Sequence, residues 1–155
     1  MAIAKKLVNH LEKNKIKHTV INHKIVYTAY DLAQTLKVKL NEIAKTLIIK
    51  ADKNYVLVAL SANQMLDLGK LKKLLKAKKI GIAKENVMKK IFKIKPGTIT
   101  PFGSLYKLPV YCEKNLTKIK VGILGGGSYR DSVKIRISDF VKLEKPIIGI
   151  FGKKR

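Results

Sequence analysis

Apolar residues recur at Ile3, Leu7, Val8 and Leu11, a spacing that predicts an amphipathic first helix over residues 2 to 14 with Lys5, Lys6 and Lys13 outside. His18 to His23, HTVINH, has the β-branched content of a short strand, and Thr28 is placed to cap a helix through Leu32, Ala33 and Leu36. Asn41 then caps a single helical turn over Glu42, Ile43 and Ala44. TLIIKA runs as a strand, DKN turns, and YVLVAL returns, the clearest hairpin in the chain. Because Tyr55, Leu57 and Ala59 alternate with Val56, Val58 and Leu60, both faces are apolar and the hairpin belongs in the middle of a packed sheet. Lys45 stands at its mouth, where a helical pattern gives way to the strand, so its stem is held at the strand's edge.

Beyond Met65, Leu68, Leu71, Leu74 and Leu75 give a helix whose other faces carry Lys70, Lys72, Lys73 and Lys76. A short strand at IGIA and a helix through Val87, Met88 and Ile91 follow, a βα rhythm that indicates an α/β domain. In KPGTITPFGSL, the residues Pro96, Gly97, Pro101 and Gly103 forbid a long regular element, which leaves an ordered loop around Phe102. LPVYCE reads as a strand and VGILG as another, leading into Gly125, Gly126 and Gly127. SVKIRI alternates with Val133, Ile135 and Ile137 on one face, and Ser138 caps a helix through Phe140, Val141 and Leu143. PIIGIFGKKR closes the chain as a last strand and a basic tail.

With 155 residues and 46% apolar content the chain suits one domain with a substantial core. Charge changes the picture: 34 Lys and Arg face 10 Asp and Glu, a net +24, which favours a polyanion partner and salt-sensitive association. Against that stands simple solubility in a lysine-biased composition, since only Arg130, Arg136 and Arg155 are arginine. The lysine run after Met65 is open in the same way, a solvated helix face or a track for phosphates. Cys112 is the single cysteine, which excludes an internal disulfide, and His10, His18 and His23 lack zinc-site spacing. A reducing, cytoplasmic setting follows. The N-terminal apolar residues are broken by charges, so neither a signal-peptide core nor a membrane span is expected.

Candidate chemistry is sparse. Cys112 alternates with Val110 and packs as a small apolar side chain, with no neighbouring helix N-terminus or histidine to activate it. His23 reads as a structural hydrogen-bonding residue in a turn, because no nucleophile or carboxylate accompanies it at a recognisable spacing. The three glycines lack the GxGxxG and P-loop patterns, leaving a tight turn or a loop for an anion or carbonyl oxygen. The PFG segment is open between structure and binding.

In order and with similar gaps, AKTLIIK after a capped helix, the hairpin, ITPFG, PVYCEKNL, and a GGG loop before SVKIRISDFVKL resemble the YbaK-type aminoacyl-tRNA deacylases, from about His23 to Leu143. That family includes the editing domain inserted in some prolyl-tRNA synthetases. The resemblance implies an α/β fold on a mixed, barrel-like β-sheet flanked by helices, acting in trans on mischarged tRNA without metal or other cofactor. It implies hydrolysis of the ester joining a wrong amino acid to the terminal ribose, typically cysteine or alanine on a tRNA for proline. Lys45 matches the family's near-invariant lysine, beside the terminal adenosine and the ester. Gly97, Pro101, Phe102 and Gly103 match the loop that shapes the pocket, and Gly125, Gly126, Gly127 and Ser128 match the glycine-containing loop opposite.

The resemblance also implies substrate assistance, with a ribose hydroxyl or a cysteine thiol supplying part of the chemistry while Lys45 and the loop amides position the ester. Alanine-clearing members carry a histidine in the second half, whereas here none follows His23. Cysteine-clearing members carry a tyrosine near the early histidine and an acidic residue on the strand after the glycine loop, places that hold Ile21 and Lys134. Asp131 is the candidate to replace that carboxylate. Two other readings are a noncatalytic RNA-binding module and a regulatory partner of prolyl-tRNA synthetase.

Overall fold

The computed structural model describes residues 3–95 and 97–154; Pro96 of the loop and Arg155 of the tail lie outside them. Helix α1 (Ile3–Lys13) turns Leu7 and Leu11 fully inward, as its spacing requires. After strand β1 (His18–Asn22), the Thr28 hydroxyl accepts from the Asp31 N–H at 3.0 Å and starts α2 (Ala29–Leu36). The next turn departs from expectation. It is a 3-10 turn over Leu40–Glu42 whose cap is Lys39, with the Glu42 carboxylate accepting from the Lys39 N–H at 3.1 Å. Asn41 therefore sits inside the turn, and Ala44 and Lys45 are already strand.

Strands β2 (Ala44–Ala51) and β3 (Asn54–Ser61) form the expected hairpin, in register from Ala44 opposite Ser61 to Ala51 opposite Asn54. A short strand β4 (Gln64–Leu66), absent from the periodic pattern, precedes α3 (Leu68–Leu75), whose cap is Asp67. Strand β5 (Ile80–Ile82) leads to one turn of α4 (Glu85–Val87), which widens into π-helical Met88–Phe92. The loop beyond contains a 3-10 turn over Gly103–Leu105. Then come β6 (Val110–Glu113), a short α5 (Lys114–Thr117), β7 (Val121–Gly125) and β8 (Asp131–Arg136). Helix α6 (Ile137–Glu144) begins straight from β8 with Arg136 in the cap position, so Ser138 lies within its first turn. The expected last strand is two, β9 (Ile147–Gly149) and β10 (Gly152–Lys154).

The hairpin is the centre of a five-stranded mixed sheet in the order β5-β2-β3-β6-β9, with β6 parallel to β3 and β9 parallel to β6. A second, antiparallel sheet has the order β1-β8-β7, and a parallel bridge between Ile43 and Ile123 brings the two sheets together. Helices flank this mixed sheet, giving the α/β class expected.

Alternation along β3 sorts its residues between two cores. Leu57 and Ala59 face one that holds Leu7, Leu11, Phe102 and Phe140. Val56, Val58 and Leu60 face another, closed by Leu71 of α3 and by Phe151. Each Leu, Val or Phe side chain among them, when fully removed from water, contributes about 1.5–3 kcal/mol before entropy is counted. Among the described residues no helix is long and apolar enough to cross a membrane.

Candidate functional site

A cleft of about 440 Å³ opens where β2 of the large sheet passes β7 and β8 of the small one, roofed by the segment before α2 and by Glu85 and Met88. Its size suits a small ligand or the end of a larger one, about 300–1,000 Å³ being usual. Lys45, second residue of β2, lines it, and its Nζ donates to the Gln64 carbonyl at 2.9 Å. A strand position fixes the stem, and the carbonyl fixes the head. Beside it Thr46 also lines the cleft, and its buried hydroxyl oxygen has no hydrogen-bond partner among the described residues. Such a group is left for a ligand or a water to satisfy.

Opposite stand Gly97, Gly125 and Ser128. A Cβ at Gly125 would come to 2.6 Å from the Ile99 carbonyl oxygen, so the absence of a side chain lets β7 lie against the 97–100 loop. Gly126 and Gly127 are not part of the cleft lining. The Gly126 N–H donates to the Asp131 carbonyl at 3.0 Å, and Gly127, at φ +91°, packs against the first turn of α1. Their backbone thus shapes the loop from behind, with the Gly126 amide already committed.

Pro101, Phe102 and Gly103 also lie away from the cleft. Phe102 is fully buried and meets Phe140 edge-on at 5.3 Å, while Gly103 leaves no room for a Cβ against the Leu108 carbonyl and Val110. The structure thus brings Lys45, Gly97, Gly125 and Ser128 together and sets the other five, Pro101, Phe102, Gly103, Gly126 and Gly127, behind the wall. Cys112 is fully buried, and burial, with the Glu113 charge adding, pushes its thiol up to about 12. It holds no thiolate near neutrality.

The cleft also gathers residues that spacing left unpaired. His23 Nε2 lies 2.9 Å from Ser132 Oγ, 109 positions along the chain, and its Nδ1 lies 2.8 Å from the Lys24 carbonyl oxygen. Asp131 lines the cleft as well, its carboxylate accepting from the Ser128 hydroxyl at 2.7 Å. Lys134 points to solvent from the same strand, while Ile21 packs in the small core beside Ile43 and Ile123. Tyr27 and Tyr129 meet edge-on at 5.1 Å on the rim, Tyr27 being 72% exposed and so available to a flat ligand.

A second Ser, His and carboxylate grouping lies elsewhere. Ser104 Oγ is 3.1 Å from His10 Nε2 and donates to Glu144 at 2.9 Å, and the same Nε2 lies 3.1 Å from Glu144. A nucleophile relay needs the serine and the carboxylate on different ring nitrogens. Here both meet one, so the grouping staples α1, the 103–105 turn and α6.

A family model described as the aminoacyl-tRNA editing domain matches residues 23–143, most of the chain and all of the cleft. Prolyl-tRNA editing protein ProX of Acetoanaerobium sticklandii is 28% identical over 116 residues, covering 71% of this chain and 71% of its own. A solved structure described as a candidate trans-editing enzyme for prolyl tRNA synthetase superposes with a TM-score of 0.85 at 20% identity, over 99% of this chain and 98% of its own. The hypothetical protein APE2540 does so with a TM-score of 0.89 at 17% identity, over 96% and 99%. At those identities the two structures speak for the fold. The matched segment begins at His23, ends at Leu143 and includes Lys45 and the glycine loop, and with it the chain belongs to the aminoacyl-tRNA editing domain family, the deacylases of aminoacyl-tRNA.

Proposed function

We propose that the chain acts in trans, as one domain, to hydrolyse the ester of a mischarged tRNA for proline carrying cysteine or alanine. Lys45 is the positioning group. The observation that carries this reading is that Lys45, its Nζ held by the Gln64 carbonyl, lines one cleft with Thr46, Gly97 and Gly125. An ammonium held there can orient the acceptor end and stabilise charge developing on the ester oxygen, while glycine walls let the substrate lie close to backbone. The name of the ProX relative supports a proline tRNA as the carrier. A net +24 supports sequence-independent grip on the acceptor stem.

Asp131 supplies a carboxylate on the cleft wall suited to the α-ammonium of the amino acid, and Ser128 holds it in place. Substrate assistance fits the cleft: a ribose hydroxyl of the acceptor end can orient the water that attacks the ester. The test is a panel of tRNAs for proline charged with cysteine, alanine or proline, with non-proline tRNAs as controls. Turnover of a mischarged member and sparing of the prolyl ester supports the reading. Tight binding without turnover favours an RNA-binding module, and binding only to prolyl-tRNA synthetase favours a regulatory partner of that enzyme.

A further inference from the structure

Resting on the deacylase reading, we propose that Ser132 and His23 form a proton relay in the cleft wall, with Ser132 touching the attacking water and His23 the base behind it. Ser132 is only 2% exposed, yet it lines the cleft. The Lys24 carbonyl can only accept, so the proton of the imidazole sits on Nδ1, which donates to it at 2.8 Å. Nε2 is therefore the acceptor, and the Ser132 hydroxyl donates to it at 2.9 Å. The His23 N–H donates to the Arg130 carbonyl at 2.9 Å, which fixes the backbone that carries the ring. Ring, tautomer and hydroxyl are thus oriented before any substrate arrives, as a base must be.

The step balances without a co-reactant. The water oxygen bonds to the ester carbonyl carbon as its proton passes to Ser132 Oγ and the serine's own proton passes to His23 Nε2. The bond from that carbon to the ribose oxygen then breaks, and the proton returns by the same path to the ribose oxygen. A free amino acid and a tRNA with a free hydroxyl leave, and the relay ends as it began. Ser132 is paired on both sides, opposite Ile21 of β1 and Gly125 of β7, an enclosure that favours handing on a proton over bonding to the ester carbon.

The charged and titratable groups of the cleft, and those beside His23 in the chain, come from several elements. Lys24 follows His23, Arg130 precedes β8 and Asp131 begins it, Lys45 comes from β2, Glu85 from α4, and Tyr27 and Tyr129 from the rim. The readout is therefore the whole pH profile and not one rate.

The experiment measures kcat/KM on mischarged tRNA against pH for the wild type, His23→Gln, Ser132→Ala and Ser132→Thr, with thermal melts and tRNA affinity for each. The wild type is expected to lose activity on the acid side, as a reaction that needs a neutral base does. His23→Gln and Ser132→Ala should lose that limb and about 10²–10⁴-fold in rate with tRNA affinity kept, whereas Ser132→Thr keeps the hydroxyl and the limb. If His23→Gln fails to fold, the contrast between Ser132→Ala and Ser132→Thr decides. A folded His23→Gln with wild-type rate and pH profile overturns the relay, as does an acyl group trapped covalently on Ser132. A wild type with no turnover on any mischarged tRNA removes the deacylase reading itself, and the relay with it.

Discussion

The Lys45 ammonium is held at 2.9 Å by the carbonyl of Gln64, a residue of the three-residue strand β4. Strand β4 is too short to hold itself in place. It is paired by β10, and β10 is in turn fixed by Glu113, whose buried carboxylate accepts the N–H groups of Phe151 at 2.8 Å and Gly152 at 2.6 Å. The other oxygen accepts from the Asn115 N–H at 3.0 Å and caps α5. Glu113 thus reaches the cleft through two short strands.

Replacing Glu113 by glutamine puts an amide donor against backbone donors. The loss of charge-assisted hydrogen bonds should cost about 1.5–3 kcal/mol. It should also lower kcat more than tRNA affinity, because Lys45 loses its anchor and the basic surface does not. Denaturation and steady-state kinetics of Glu113→Gln check both, and an unchanged melt with unchanged kcat would contradict the linkage.

Gly125→Ala forces a methyl group to 2.6 Å from the Ile99 carbonyl, so β7 or the 97–100 loop must move. The expected cost is about 1–3 kcal/mol, with lost turnover as the cleft wall shifts. Gly81→Ala is the control, since nothing lies within 4 Å of its added carbon. It should change stability by no more than about 0.5 kcal/mol. Equal effects in urea denaturation would count against the close-packing explanation.

Phe102→Ala empties a fully buried site against Phe140 and should cost about 3–5 kcal/mol. Because Phe102 is set behind the cleft, the fraction that remains folded in the cold should turn over much as the wild type does. A specific activity per folded molecule that collapses while the melt is unchanged would place Phe102 in the substrate path instead.

Alkaline pH should weaken the fold. Burial raises the Cys112 thiol from 9.0 to about 12 and raises the Tyr106 hydroxyl above its ordinary 10.0, the latter partly offset by the hydrogen bond from the Thr100 N–H. The unfolded chain therefore releases these protons first. Stability is whole below 9.0 and falls as pH climbs toward about 12. Melting temperature against pH should fall across that window, more shallowly in Cys112→Ala; identical slopes would contradict the assignment to the thiol.

Much of the scaffold is legible in the sequence where local pattern and burial agree. The alternation along Tyr55 to Leu60 announces two apolar faces, and the structure sends them into two cores. Thr28 announces its helix through one hydroxyl. Caps read by residue type alone fare less well: Asn41 and Ser138 sit inside their turns, because Lys39 and Arg136 take cap positions that ask only for extended backbone. Strand β4 has too few residues to show a period, and it exists because β10 supplies its partner from the far end of the chain.

The site divides along the same line. Lys45 stands out by its place before LIIK, whereas nothing local in His23 or Ser132 announces a pair across 109 positions. Only the pairing of β1 with β8 brings them together. Phe102 in PFG is open to core or cleft on sequence grounds, and long-range packing on Phe140 decides it.

The most direct test is single-turnover deacylation of cysteinyl- and alanyl-tRNA for proline by the wild type and by Lys45→Ala, with a thermal melt of each protein. Hydrolysis by the wild type is expected, with a loss of about 10²-fold or more in Lys45→Ala and the melt nearly unchanged. A folded Lys45→Ala that deacylates as fast as the wild type would contradict the positioning role of Lys45.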